Sequence, residues 1–175
     1  MQDNLVMSKE EIDSALKRIT HQLLEQHSDI NKLAIVGIQR RGVSLAKIIV
    51  NYIKEFSGVD VPFGILDITL YRDDLSLLSK HPIINDTDVS FIVDNMDIVL
   101  VDDVIFTGRT THAAIDALFS LGRASTIELA VLIDRGHRQI PIKPNYVGKN
   151  IPSAINKRIE VSVPEFDDDF CVRIV

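Results

Sequence analysis

The feature that most constrains this chain is a rhythm of short, wholly apolar runs set between stretches with helical spacing. LAIVG (33–37) precedes GVSLAKIIVNYIKEF, DIVLVD (97–102) precedes TTHAAIDALFSLG (110–122), and STIELAVLID (125–134) closes the series. A strand with no polar alternation is buried on both faces, and helices packed on both sides of a parallel sheet supply that burial. The rhythm therefore predicts an α/β fold with a largely parallel sheet. Ser8, three residues before Glu11, makes a capping box, and Ile12, Ala15, Leu16, Ile19 and Leu23 follow at helical spacing. They predict a first helix of about 20 residues. VPFGILDITLY (61–71) reads as a further strand, and FCVRIV as another, with Cys171 a buried thiol.

The length of 175 residues predicts one domain, 1–175, because domains run to roughly 100 to 200 residues. No repeat, low-complexity segment or linker marks a second one. The N-terminal MQDNLVMSKEEID lacks a basic region followed by an apolar core, and no apolar run reaches the roughly 18 to 20 residues that span a bilayer. A cytoplasmic protein without a membrane partner is expected. One cysteine excludes an internal disulfide and gives no sign of redox or zinc chemistry. The net charge of −6 works against indiscriminate nucleic-acid binding, but the charge is segregated. Arg135, Arg138, Lys143 and Lys149 cluster after Asp134, while Glu165, Asp167, Asp168 and Asp169 crowd the C-terminal stretch.

Ligands of open parallel sheets sit beyond the carboxyl ends of the strands. Three loops leave those ends: IQRRG (38–42), the long segment 71–90, and DDVIFTGRT (102–110). Successive strand side chains point to opposite faces, so Asp102 and Asp103 can serve one ligand only where the backbone turns, and the strand is expected to end there. Thr107, Gly108, Arg109, Thr110 and Thr111 then open a helix, whose free N–H groups and dipole make an anion site. Carboxylates for vicinal hydroxyls or a hydrated magnesium ion, beside a seat for phosphate, suit a sugar phosphate.

VLVDDVIFTGRT resembles the 5-phosphoribosyl 1-diphosphate (PRPP) motif of type I phosphoribosyltransferases. The resemblance implies their fold, a sheet with helices on both faces and a small hood. It implies that Asp102 and Asp103 are catalytic and bind the ribose hydroxyls, within a PRPP-binding stretch continued by Val104, Ile105, Phe106, Thr107, Gly108, Arg109 and Thr110. Arg40 and Arg41 would meet pyrophosphate, with Arg72 at the base of a lid formed by 71–90. The implied cofactor is Mg2+, held mainly through substrate and water.

DITLYRDDLS, DALFSLGR, IELAVLIDRGHR and YVGKNIP extend the likeness to pyrimidine operon regulators that double as uracil phosphoribosyltransferases. Purine-using relatives carry an aspartate where this chain has Phe106, which cannot move a proton. The implied reaction takes PRPP and uracil to UMP and pyrophosphate. YVGKNIP (146–152) would form the hood over the base, with Tyr146 stacking, the Val147 backbone reading the base edge and Arg135 nearby; Tyr146 as a core aromatic is the competing reading. Lys17, Arg18, His21, His137, Arg138, Lys143 and Lys149 would bind a leader-RNA hairpin of the pyrimidine operon in response to UMP or UTP, on a face of a homodimer or higher homo-oligomer. Gln26 is uncharged where a base is expected, and a solvated basic face is the plain alternative. Two other functions compete: a nucleotide-sensing RNA-binding regulator with weak or vestigial catalysis, and a receiver-type signalling domain suggested by VLVDD. The late position of the acid pair and the phosphate-type turn behind it disfavour the receiver.

Overall fold

The apolar runs become the central strands of the computed structural model, which describes residues 4–71 and 86–175. In chain order the elements are β1 (Leu5–Met7), α1 (Lys9–Gln26), β2 (Leu33–Ile38), α2 (Arg41–Ser57), β3 (Phe63–Leu66) and β4 (Asp97–Ile105). There follow α3 (Arg109–Leu121), β5 (Thr126–Asp134), β6 (Tyr146–Asn150), β7 (Ile159–Ser162) and β8 (Cys171–Ile174). Strands β3-β2-β4-β5-β6 form a parallel five-stranded sheet, and β1-β8-β7 form a small antiparallel one, the hood.

The capping box forms as read: the Ser8 N–H donates to Glu11 Oε2 at 2.8 Å, and the Glu11 N–H to Ser8 Oγ at 3.3 Å. Alternation along β4 sorts the two cores. Val99 and Val101 join the side covered by α1 and α2, which also takes in Val161 and Val172 of the hood, whereas Ile98 and Leu100 join the side covered by α3. The result is three layers with one sheet in the middle, the α/β architecture that the rhythm predicts. Cys171 is buried. Among the described residues no helix is long and apolar enough to cross a membrane.

Three elements differ from the sequence reading. The strand expected over 61–71 stops at Leu66, because the Asp67 carboxylate accepts both the Thr69 N–H (3.0 Å) and the Thr69 hydroxyl (2.6 Å) and turns the chain into a single 3-10 turn. The strand expected to end at Asp102 runs on to Ile105. YVGKNIP does not form the hood: its strand, β6, is the edge of the main sheet. Asn145 fixes that placement, its side chain accepting from the Leu129 N–H at 3.0 Å while its own N–H reaches the Leu129 carbonyl at 2.8 Å. Gly148 permits it, since a Cβ there would lie 2.5 Å from the Leu132 carbonyl oxygen. The hood instead joins the two ends of the chain.

Candidate active site

Strand β2 pairs with β4 only as far as Gly37 opposite Val101, while β5 accompanies β4 to Ile105. From Asp102 onward β4 has one neighbour, and its other edge opens onto the gap where β2 has turned away. Two adjacent carboxylates can therefore face one cavity without the strand ending, which corrects the expected geometry. That cavity, about 450 Å3, is lined by Gln39, Arg40, Asp67, Asp102, Asp103 and Thr110 among others. Gly42 brings its two sides together: a Cβ there would stand 2.4 Å from the Val101 carbonyl oxygen, so only glycine lets the first turn of α2 rest on β4. The Gln39–Arg40 peptide at the rim is cis.

Asp102 is 7% exposed and Asp103 half-buried. The Asp103 N–H donates to Asp102 Oδ1 at 2.9 Å, and the Val104 N–H to Asp103 Oδ1 at 2.8 Å. Burial, then the neighbouring Asp103 charge, pushes the Asp102 carboxyl well above the usual range. Burial also raises Asp103, against the hydrogen bonds it accepts and the charge of Arg41. A cation or a set of hydroxyl donors facing such a pair would favour its charged form.

Beyond the pair, Gly108 adopts φ +93 and caps α3, the Arg109 N–H reaches Thr107 Oγ1 at 3.3 Å, and the amides of Gln139 and Ile140 hold the Thr107 carbonyl at 2.9 and 3.2 Å. The first turn of α3 thus presents its amides beside the acid pair, and Thr110 faces the same cavity. Arg109 is held by Gln139 Oε1 at 3.1 Å, and the Ile105 side chain lies in the core.

Phe106 sits at the next corner. The Arg135 guanidinium lies 4.1 Å from its ring centroid, and the His137 ring meets it edge-on at 5.9 Å. Arg135, 6% exposed, is anchored by the carbonyls of Ala154 (3.1 Å) and Lys157 (2.8 Å). His137 Nε2 lies 2.6 Å from the Ser153 carbonyl oxygen. The turn that fans these side chains out uses left-handed backbone at Gly136 (φ +76) and His137 (φ +61). Arg135 and His137 border a second cavity of about 480 Å3, shared with Arg138, Lys143 and Asn150.

Several expected site residues lie elsewhere. Tyr146, 5% exposed, starts β6 at the amino end of the sheet, away from the loops that hold the acid pair. Its hydroxyl donates to Glu128 at 2.9 Å, and burial and that carboxylate raise the phenol, so it is a core aromatic rather than a base-stacking one. Val147 pairs with Val131 inside the sheet, and its carbonyl is taken by Arg18 at 3.3 Å, which leaves it no base edge to read. Arg138 donates to the Phe106 carbonyl (2.9 Å), the Ile142 carbonyl (2.9 Å) and Asp134 (2.6 Å); it braces the turn that follows β4 and is not a free surface cation. Arg41 forks onto Asp167 (3.2 and 3.3 Å) instead of lining the main cavity, because consecutive helical residues point about 100° apart. Arg72 and most of the expected lid lie outside the described residues.

The basic cluster divides in two. Arg18, which also donates to the Gly148 carbonyl, and Lys149, held by the Val6 carbonyl at 3.0 Å, border one surface pocket with Glu10 and Glu11. His137, Arg138 and Lys143 border the cavity beside Phe106. The acidic stretch near the C-terminus, read only as charge, clasps α2: Glu165 accepts from Ser44 (2.5 Å) and Lys47 (3.0 Å), and Phe166 lies 6.0 Å from the Arg40 guanidinium. Among the described residues no three His, Cys, Asp or Glu side chains converge as a metal cage.

Residues 8–166 match the phosphoribosyl transferase domain family. The Bifunctional protein PyrR of Caldicellulosiruptor bescii is 55% identical over 94% of this chain and 90% of its own length, and that of Acetivibrio thermocellus 54% identical over 97% and 92%. A hypoxanthine phosphoribosyltransferase of Trypanosoma cruzi superposes with a TM-score of 0.77 over 98% of this chain and 94% of that one; at 17% identity it speaks for the fold. The chain belongs to the phosphoribosyl transferase family and, within it, to the bifunctional PyrR proteins.

Proposed function

We propose that the chain transfers the phosphoribosyl group of PRPP to uracil and binds pyrimidine-operon leader RNA in response to uridine nucleotides. The observation that carries the catalytic half is the buried pair Asp102 and Asp103, in one cavity with Arg40 and the first turn of α3. The bond from ribose C1 to the pyrophosphate oxygen breaks, N1 of uracil takes its place, and the N1 proton leaves to the departing pyrophosphate or water. Positive charge develops on the ribose ring, and the two carboxylates stabilise it without forming a bond. The amides and hydroxyls of Thr107, Gly108, Arg109 and Thr110 hold the 5′-phosphate, and Arg40 faces the pyrophosphate.

The acid pair also fits Mg2+. Two buried carboxylates with raised pKa gain by facing a cation. Asp102 and Asp103 would hold it together with substrate and water, and the ion would supply charge neutralisation of the diphosphate. Phe106, enclosed by Arg135 and His137, offers no proton to a purine imidazole, which favours uracil, and Arg135 remains the side chain proposed for the base site. For RNA, the proposed contacts are Lys17, Arg18, His21, His137, Lys143 and Lys149, on a homodimer or larger homo-oligomer. The deciding experiment measures UMP formation from PRPP and uracil, with Mg2+ present, and leader-RNA binding on one preparation. RNA binding without turnover would favour a sensor with vestigial catalysis, and neither activity would remove the proposal.

A further inference from the structure

Helices α1 and α2 carry a row of rings on their outer side. Tyr52 and Phe56, one turn apart on α2, lie parallel within 3° with centroids 5.6 Å apart. His21 of α1 continues the row, 4.3 Å from Phe56 and within 9° of parallel. Lys17, one turn before His21, stands 5.3 Å from the Tyr52 centroid at the other end. Asp13 pins that end by accepting from the Tyr52 hydroxyl and pairing with Lys17 Nζ at 2.8 Å. The other end closes on His21, whose side chain is exposed while one ring face lies on Phe56.

A column of parallel rings ending in an exposed flat face has the form of a base stack with its last place open. Unpaired bases stack on aromatic side chains whatever their identity, and sequence-specific RNA readers take unpaired loops as their targets. Lys17 and Arg18, both exposed on the same helix, supply positive charge for flanking phosphates. We propose that Tyr52, Phe56 and His21 form a stacking platform for an unpaired base of an RNA loop, with Lys17 and Arg18 at the adjacent backbone. This inference rests on the RNA-binding reading above and adds to it. His21 acts through its ring face rather than its charge, and Tyr52 and Phe56, which carry no charge, become part of the RNA face.

The probe is a labelled transcript of the leader region of the chain's own pyrimidine operon, titrated at several salt concentrations. Phe56→Leu removes a ring and no charge; it is expected to weaken binding about tenfold, as for loss of one base stack, with the salt slope unchanged. His21→Phe removes a titratable group and keeps a flat face, and Phe56→Trp keeps the column; both are expected to bind more tightly than Phe56→Leu. Far-UV circular dichroism establishes that each variant is folded. Wild-type affinity in Phe56→Leu would overturn the platform alone, as would equal weakening in Phe56→Leu, Phe56→Trp and His21→Phe. If the unsubstituted protein does not bind the transcript, the RNA reading itself falls, and the platform with it.

Discussion

The two edges of the parallel sheet both hold buried or half-buried carboxylates, and they treat them in opposite ways. At the amino edge Glu128 accepts from the Tyr146 hydroxyl and lies 2.9 Å from His27 Nε2, while Asp97 accepts from the Thr126 hydroxyl at 2.9 Å with His27 Nδ1 3.8 Å away. Each acid there has its partners within the fold. At the carboxyl edge Asp102 and Asp103 face each other and a cavity. An acid surrounded by donors contributes to structure, whereas a carboxylate pair left to face each other across a cavity is costly to keep ionised and can gain from a ligand that supplies charge or donors. Burial alone does not distinguish a site from a core; the completeness of the partners does.

The sharpest way to break this comparison is to neutralise the carboxyl edge. Asp102→Asn or Asp103→Asn is expected to lower UMP formation about a hundredfold to a thousandfold, the scale of losing one preorganised charge-stabilising group, while the melting temperature holds or rises. Wild-type turnover in both variants at limiting PRPP would remove the ribose-binding role. The pair should also leave a mark on stability against pH. A carboxyl raised on folding from its ordinary 3.8 contributes stability that is present below that pH and lost as pH rises through its raised folded value. Subtracting the pH profile of Asp102→Asn from that of the unsubstituted protein should therefore leave a difference that falls as pH rises above the ordinary carboxylate range; a difference that climbs there would contradict the direction given to Asp102.

Next in size is the close approach that assembles the same edge. Gly42→Ala forces a methyl group toward the Val101 carbonyl and should cost about 1 to 3 kcal/mol of stability by overpacking, along with a loss of PRPP affinity. Thermal unfolding and isothermal titration with PRPP would measure both. A smaller effect is expected at the amino edge. Tyr146→Phe removes the donor to Glu128 and should destabilise by about 1 to 2 kcal/mol, with turnover per folded molecule unchanged. A selective rise in the KM for uracil would return Tyr146 to the base site. The smallest effect should come from an exposed pair at neither edge: Lys54→Ala, which breaks the contact with Asp60, should move stability by less than about 1 kcal/mol in urea unfolding.

What could be read in the sequence follows from how local the determining interactions are. The central strands and the first helix declare themselves through runs of apolar residues and a capping box, patterns contained in about a dozen consecutive positions. The phosphate turn is equally local, from Asp102 to Thr111. The resemblance implies a hood but places it at YVGKNIP, and β1 and β7 leave no mark in the sequence, because the hood strands are three or four residues long and β1 is specified by partners such as Arg173 opposite Leu5, far along the chain. The end of β4 was misplaced because a strand that loses one neighbour and keeps the other has no sequence signature. Tyr146 is assigned to the base only by the resemblance of YVGKNIP to a hood segment, while the donor-acceptor contact with Glu128 that holds it in the core crosses 18 positions. Arg138 likewise reads as surface charge, since the Phe106 carbonyl that it braces lies 32 positions away.

The pairing of β1 with β8 has a consequence for how the protein is made. Of the described strands, β1 is synthesised before the others and yet finds its partner last, because Cys171–Ile174 follows all of them in chain order. During synthesis the parallel sheet, the acid pair and the phosphate turn can all be assembled while β1 and β7 still present open backbone. A chain interrupted before Cys171 would therefore carry the carboxyl edge under an unfinished roof, with two exposed strand edges ready to pair with another nascent chain.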